Sequence, residues 1–164
     1  MTNLSLIVVG SSIEKLKKFE QQYLEVGELI LINNPRGIHG GYGKIANHWI
    51  ERISGDVFGI VHADTILGEG MCRTLVETAK SGCVAGIVGK GNDGSEVWSN
   101  RLSTGNKQPV STLDSCSMFV SKDTLERHKL RFDELMFDSF HCCVEDFCLQ
   151  ASSRGIPIIV PAGS

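Results

Sequence analysis

The order of segments along the chain constrains its fold more than any other feature. Short apolar runs alternate with amphipathic stretches from the first residues onward. Leu4–Gly10 has the pattern of a buried strand. Ser11 and Glu14 then stand at the spacing of a capping box, and Ile13, Leu16, Phe19 and Tyr23 fall on one helical face. Glu28–Asn33 reads as a second strand, and a glycine-rich turn follows from Pro35 to Gly41. Tyr42, Ile45, Ala46, Trp49, Ile50 and Ile53 recur at helical spacing, with Gly55 as the expected stop. Val57–Val61 is a third strand that ends in His62-Ala63-Asp64, Gly68–Lys80 a helix, and Val84–Val88 a fourth strand. Strand and helix in alternation with short links imply right-handed βαβ units and a mostly parallel sheet.

Ligands of such sheets sit beyond the carboxyl ends of the strands. Three polar clusters occupy those ends: Gly10-Ser11-Ser12, Asn33-Asn34 and His62-Ala63-Asp64. The second half has a different texture. Residues 89–109 are rich in Gly, Asn and Ser and are expected to form a flexible lid or a partly structured excursion. Leu113–Val120 then reads as a strand, Lys122–His128 as a short helix, Phe137–His141 as a loop, Val144–Ser153 as a final helix stopped by Gly155, and Ile156–Val160 as a closing strand. With no repeat or linker, residues 1–164 are expected to form one domain.

Composition removes several function classes. Hydrophobic residues are 41% of the chain, which supports a sizeable core. The net charge is −3, so the basic excess that drives non-specific nucleic-acid binding is missing. No apolar run approaches the roughly 20 residues of a bilayer span. The opening residues carry no Lys or Arg before their apolar run, unlike a secretory signal. The six cysteines are therefore expected to be reduced thiols in a cytoplasmic protein, and His141-Cys142-Cys143 with Cys148 to be packed side chains rather than metal ligands.

Few residues carry a chemical signal. Gly86-Ile87-Val88-Gly89-Lys90-Gly91 is not a P-loop, since the spacing is wrong and Lys90 is not followed by Ser or Thr. Asp64, at the end of a central strand, suits a divalent cation that bridges phosphates, or equally a cap on the next turn. Glu145 and Asp146 open the last helix, where they suit its dipole, or where one of them could act as a general base toward an alcohol.

The ordered set Ala46-Asn47, Gly55-Asp56 and Val61-His62-Ala63-Asp64 resembles the segment of family 2 glycosyltransferases that ends in their metal-binding motif. The His-x-Asp form is similar to the branch of streptomycin-biosynthesis glycosyltransferase-like proteins. Asp114 to Val120, Arg131-Phe132-Asp133-Glu134, Phe140-His141, Asp146 to Gln150 and Gly155 resemble that branch's acceptor side in order and spacing. The resemblance implies an α/β fold of GT-A type: a Rossmann-like, mostly parallel sheet flanked by helices, with a mixed acceptor-side half. It implies inverting transfer of a sugar from a nucleoside-diphosphate sugar to an alcohol. Carried over by position, Asp64 is the expected Mn²⁺ or Mg²⁺ ligand, and Asp146, or failing it Glu145, the base. Gly10, Ser11, Asn33, Asn47 and His62 are expected to line the nucleotide-sugar pocket, His62 standing where many members have the first aspartate of the motif. The alternatives are a catalytically weak nucleotide-sugar-binding or regulatory module and, further off, a sugar nucleotidyltransferase. The acceptor and any homo-oligomer are left open.

Overall fold

The computed structural model describes residues 3–21, 27–103, 105–137 and 142–163. Its centre is β1 (Leu4–Gly10), all seven residues of which are buried. β1 pairs in parallel with β2 (Glu28–Asn33) on one side and β3 (Val57–His62) on the other. The sheet continues through β9 (Ser117–Ser121), β4 (Val84–Ala85), β10 (Ile158–Pro161) and β7 (Lys107–Pro109), in the order β2-β1-β3-β9-β4-β10-β7. Within it β9 and β7 run against their neighbours, and the others share one direction. A second, antiparallel sheet of β5 (Val88–Lys90), β6 (Glu96–Trp98) and β8 (Thr112–Leu113) has the order β6-β5-β8.

Helices cover both faces. α1 (Ile13–Glu20) and α3 (Glu69–Lys80) pack on the face fed by Leu4, Leu6 and Val8, together with Val57, Val61 and Phe119. α2 (Tyr42–Ile50) and α5 (Cys143–Ser153) pack on the opposite face with Ile7, Val9, Phe58, Ile60 and Met118. The two-residue period of the strands thus feeds two cores at once. α4 (Lys122–Arg127) follows β9 directly. Among the described residues no helix is long and apolar enough to cross a membrane. All six cysteines are free thiols, as expected.

Several expected boundaries shift for identifiable reasons. Ser12, not Ser11, caps α1 and accepts from the Lys15 amide at 3.3 Å. Ile13 is exposed while Leu16 and Phe19 are buried, and Tyr23 lies outside the described residues. α2 ends at Ile50 instead of running to Gly55, because Gly55 must lie flush against β1: a Cβ there would stand 2.7 Å from Asn3 O. The expected strand Val84–Val88 splits between the two sheets at Gly86, which abuts Ser117 O, while the Ile87 amide donates to Ser117 Oγ at 3.0 Å. The expected strand Leu113–Val120 is likewise two strands, interrupted where Asp114 Oδ1 accepts from the Cys116 amide at 2.8 Å. The Gly-rich excursion holds the β5–β6 hairpin and β7, so it is a structured element of both sheets. Residues 138–141, in the expected loop, lie outside the described residues.

The amino ends of the first three strands are stitched by one carboxylate. Glu28 Oε2 accepts from Ser5 Oγ, and from the amide and hydroxyl of Ser54 at 3.0 and 3.1 Å. Ser5 Oγ in turn accepts from the Gly55 amide at 2.9 Å. The Ser5 hydroxyl first, and the Ser54 amide next, hold the Glu28 carboxyl below the ordinary glutamate range. A value lower in the folded than in the unfolded chain stabilises the fold above the unfolded pKa of about 4.3, and that stabilisation is lost as pH falls through the folded value. Glu28→Gln is therefore expected to lower the urea midpoint at neutral pH, with the gap to the native protein closing on acidification. Parallel urea titrations from neutral pH downward check this; a gap that stays constant would remove Glu28 from the acid response.

Candidate functional site

The carboxyl ends of β1, β2 and β3 are tied together by backbone. Ala63 N donates to Val9 O at 2.9 Å, and Asn34 N donates to Gly10 O at 2.7 Å. Gly10 has no room for a side chain: a Cβ would stand 2.9 Å from that of Ala63 and 3.0 Å from Leu16. The absent side chain lets α1 and the turn after β3 close on each other. Asn34 is buried and fixes the next loop, accepting from the His39 amide at 2.8 Å and donating to Gly40 O at 3.0 Å. Inside that loop Arg36 has a left-handed backbone, with φ of 55°. A crevice of about 380 Å³ results, lined by Gly10, Ser11, Lys15, Arg36, His62 and Asp64 among others.

Charge in the crevice is arranged unlike the expectation. Asp64 Oδ2 meets the Lys15 ammonium at 3.2 Å, and this contact holds the Asp64 carboxyl below the usual aspartate range. The His62 ring stands edge-on to buried Tyr42 with centroids 5.3 Å apart. Among the described residues no three His, Cys, Asp or Glu side chains converge as metal ligands. A divalent ion on Asp64 would share its carboxylate with an ammonium already in contact, and like charges at that range repel. Among the described residues, the donor set therefore does not fit the expected Mn²⁺ or Mg²⁺ site. Arg36 has no acidic partner among the described residues.

From His62 a line of rings runs to α5. Tyr42 meets Phe132 at 6.5 Å, and Phe132 stacks on Phe147 at 4.7 Å. The line links the crevice strand to the helix that carries Glu145 and Asp146. Both carboxylates are half-buried in its first turn. Asp146 Oδ2 accepts from Gln150 Nε2 at 2.7 Å, one turn later. Glu145 Oε2 and the Tyr42 hydroxyl are buried with no hydrogen bond among the described residues. Burial pushes the Cys143 thiol up to about 11 and those of Cys116 and Cys148 to about 12, so none is a ready nucleophile at neutral pH. Burial likewise raises Tyr42 well above its ordinary value.

Of the residues singled out in the sequence, Gly10, Ser11, His62 and Asp64 share the crevice. Asn33 does not: it lines a separate groove of about 520 Å³ with Ile32, His39, Lys44 and Trp49. Lys15 and Arg36 were missed. Lys15 is the third residue of a helix that starts at a strand's carboxyl end. Arg36 was hidden in a turn.

No family model matches the chain, and no curated protein matches it in sequence. Its backbone is nevertheless similar to solved structures. TarS of S. aureus in complex with UDP-GlcNAc is 16% identical with a TM-score of 0.55, the match covering 96% of this chain and 56% of TarS 1–349. GalNAc-T7 with UDP, GalNAc and Mn²⁺ is 10% identical with a TM-score of 0.61, covering 97% of this chain and 42% of the other. A197 from STIV is 12% identical with a TM-score of 0.57, covering 99% and 82%. The chain thus spans about half the length of the first two. TarS and GalNAc-T7 are GT-A-type glycosyltransferases, and the chain has the same type of fold.

Asn47 stands apart from the crevice. Its amide donates to Phe132 O at 2.9 Å and to Glu134 Oε1 at 2.8 Å, and accepts from the Phe132 amide at 2.9 Å. Both N–H groups are used in clamping residues 132–134 to α2. Asn47→Ala is expected to destabilise the fold by about 1–3 kcal/mol and to leave nucleotide affinity of the folded protein unchanged. Thermal melts paired with calorimetric titration check both; an unchanged melt with lost affinity would return Asn47 to the ligand site.

Proposed function

We propose that the chain takes a nucleoside-diphosphate sugar into the crevice between β1, β3 and the 34–40 loop, and transfers the sugar to an alcohol with inversion. The observation that carries this reading is the convergence of Gly10, Ser11, His62 and Asp64 with two cationic side chains at the carboxyl edge of a GT-A-type sheet. Relatives of this fold support it, since TarS was solved with UDP-GlcNAc and GalNAc-T7 with UDP and GalNAc. Within that fold type the His62-x-Asp64 form favours the streptomycin-like branch, and the 164 residues act as one domain in this reading. Six free thiols fit a reducing, cytoplasmic setting.

Asp146 is the base in this proposal. Asp146 stands in the first turn of α5, and Gln150 occupies Oδ2, which leaves Oδ1 to accept the proton of the attacking hydroxyl. Glu145 is the weaker choice, because its Oε2 is turned into the protein beside Cys143 and Cys148. Attack from the face opposite the departing diphosphate inverts the anomeric carbon. No step is assigned to a metal ion, for which the described residues of the crevice offer no converging ligand set. A nucleotide-sugar-binding module without turnover is the second reading, and the Lys15 ammonium already in contact with Asp64 favours it over a metal-driven transferase.

Asp146→Asn keeps the shape of the side chain and its bond to Gln150 but removes the proton acceptor. Turnover, measured as transfer or as slow donor hydrolysis, is expected to fall roughly 10²–10⁴-fold with donor affinity unchanged. Equal turnover in the two proteins would move the base to Glu145. Tight donor binding without turnover in either would establish the binding module instead.

A further inference from the structure

We propose that the diphosphate in this crevice is gripped by Lys15 and Arg36 in place of a divalent cation, with Asp64 as the carboxylate that pairs with Lys15 until the diphosphate displaces it. The inference rests on the nucleotide-sugar reading above and specifies how that site works.

Three observations converge on it. Lys15 comes from the first turn of α1, and Arg36 from the connection between β2 and α2, so two independent segments bring a cation to one crevice. The crevice holds two permanent positive charges against the one carboxylate of Asp64, in a chain whose net charge is −3. A local excess of that sign in an acidic protein focuses a field attractive to anions. Arg36 is also held in place: Pro35 precedes it, and the two hydrogen bonds of buried Asn34 close the loop around its left-handed backbone. A bulky residue takes that conformation only where its surroundings impose it.

Asp64 is ion-paired with the Lys15 ammonium in this arrangement. When a diphosphate enters, its oxygens compete with the carboxylate for Lys15 and meet the Arg36 guanidinium, whose planar donors suit a phosphate. In the transfer step the anomeric carbon's bond to the diphosphate oxygen breaks, and its electron pair leaves with the nucleoside diphosphate. The acceptor oxygen forms the new bond, and its proton goes to Asp146. The charge gained by the leaving oxygen is balanced by the ammonium and guanidinium. No oxidant, reductant or further reactant is required.

Calorimetric titration of the whole protein with UDP, GDP, CDP, ADP and dTDP, each in EDTA and in Mn²⁺, tests this. At least one is expected to bind in EDTA with an affinity within about threefold of that in Mn²⁺. For that nucleotide in EDTA, Lys15→Met and Arg36→Gln are each expected to weaken binding roughly 10- to 100-fold, the worth of a charge-assisted hydrogen bond. Asp64→Asn, which removes a repelling and competing carboxylate, is expected to tighten it. Both cation positions are exposed enough that circular-dichroism melts should match the native protein, and Arg36→Lys, which keeps the charge, should retain more affinity than Arg36→Gln. Binding that needs Mn²⁺ and is lost in Asp64→Asn would overturn the cationic grip while leaving the nucleotide-sugar reading intact. Failure of all five nucleotides with and without Mn²⁺ would overturn that reading itself.

Discussion

Everything in this molecule hangs on the two-sided burial of β1. Its side chains feed one core through Leu4, Leu6 and Val8 and the other through Ile7 and Val9, while both its backbone edges pair with parallel neighbours. Each fully buried aliphatic side chain contributes about 1.5–3 kcal/mol. A one-residue slip would turn every one of them to the wrong layer. With β1 pinned in register, β2 and β3 must finish at the same edge, and the three connections that follow are forced into one neighbourhood. The crevice is the geometric residue of that constraint, and Gly10 marks the point where the connections would otherwise collide.

The reversed strand β9 supplies the second half of the arrangement. It lies between β3 and β4, so the turn that precedes it arrives at the crevice end of β3. There Cys116 O accepts from the His62 amide and from the Thr65 hydroxyl. The rings of His62, Tyr42, Phe132 and Phe147 then carry the same end of the sheet across to α5. The crevice edge and the helix that carries Glu145 and Asp146 are thereby parts of one packed layer rather than two units that must find each other.

Much of this was legible in the residues. The strands β1, β2 and β3 and the helices α3 and α5 follow from periodicity, since buried parallel strands are unbroken apolar runs and their helices show one apolar stripe. What was not legible depended on contacts made across long stretches of sequence. The break at Gly86 answers to Ser117, thirty-one residues on, and no local pattern announces a strand that changes sheets. Asn33 and Asn34 are adjacent in sequence, yet β2 ends between them: one lines a side groove, and the other lines the crevice and fixes the loop beside it. Asn47 matched a family position, but its amide is consumed by Phe132 and Glu134. For Asp64 the residue type was right for a cation; the cation that meets it belongs to Lys15.

The placement of β9 also sets the order in which this molecule can assemble. β1, β2 and β3 are separated by single helical connections and can pair early. Phe58, however, waits for Val120, with all of residues 59–119 synthesised and looped between them. Until that closure occurs, β3 presents an unpaired edge of Val57, Phe58, Ile60 and Val61 to any other strand nearby. Non-local pairing of this kind is slow because the loop entropy is lost before the contacts are gained. The nascent chain is thus most exposed to aggregation at the same strand whose far end later borders the crevice.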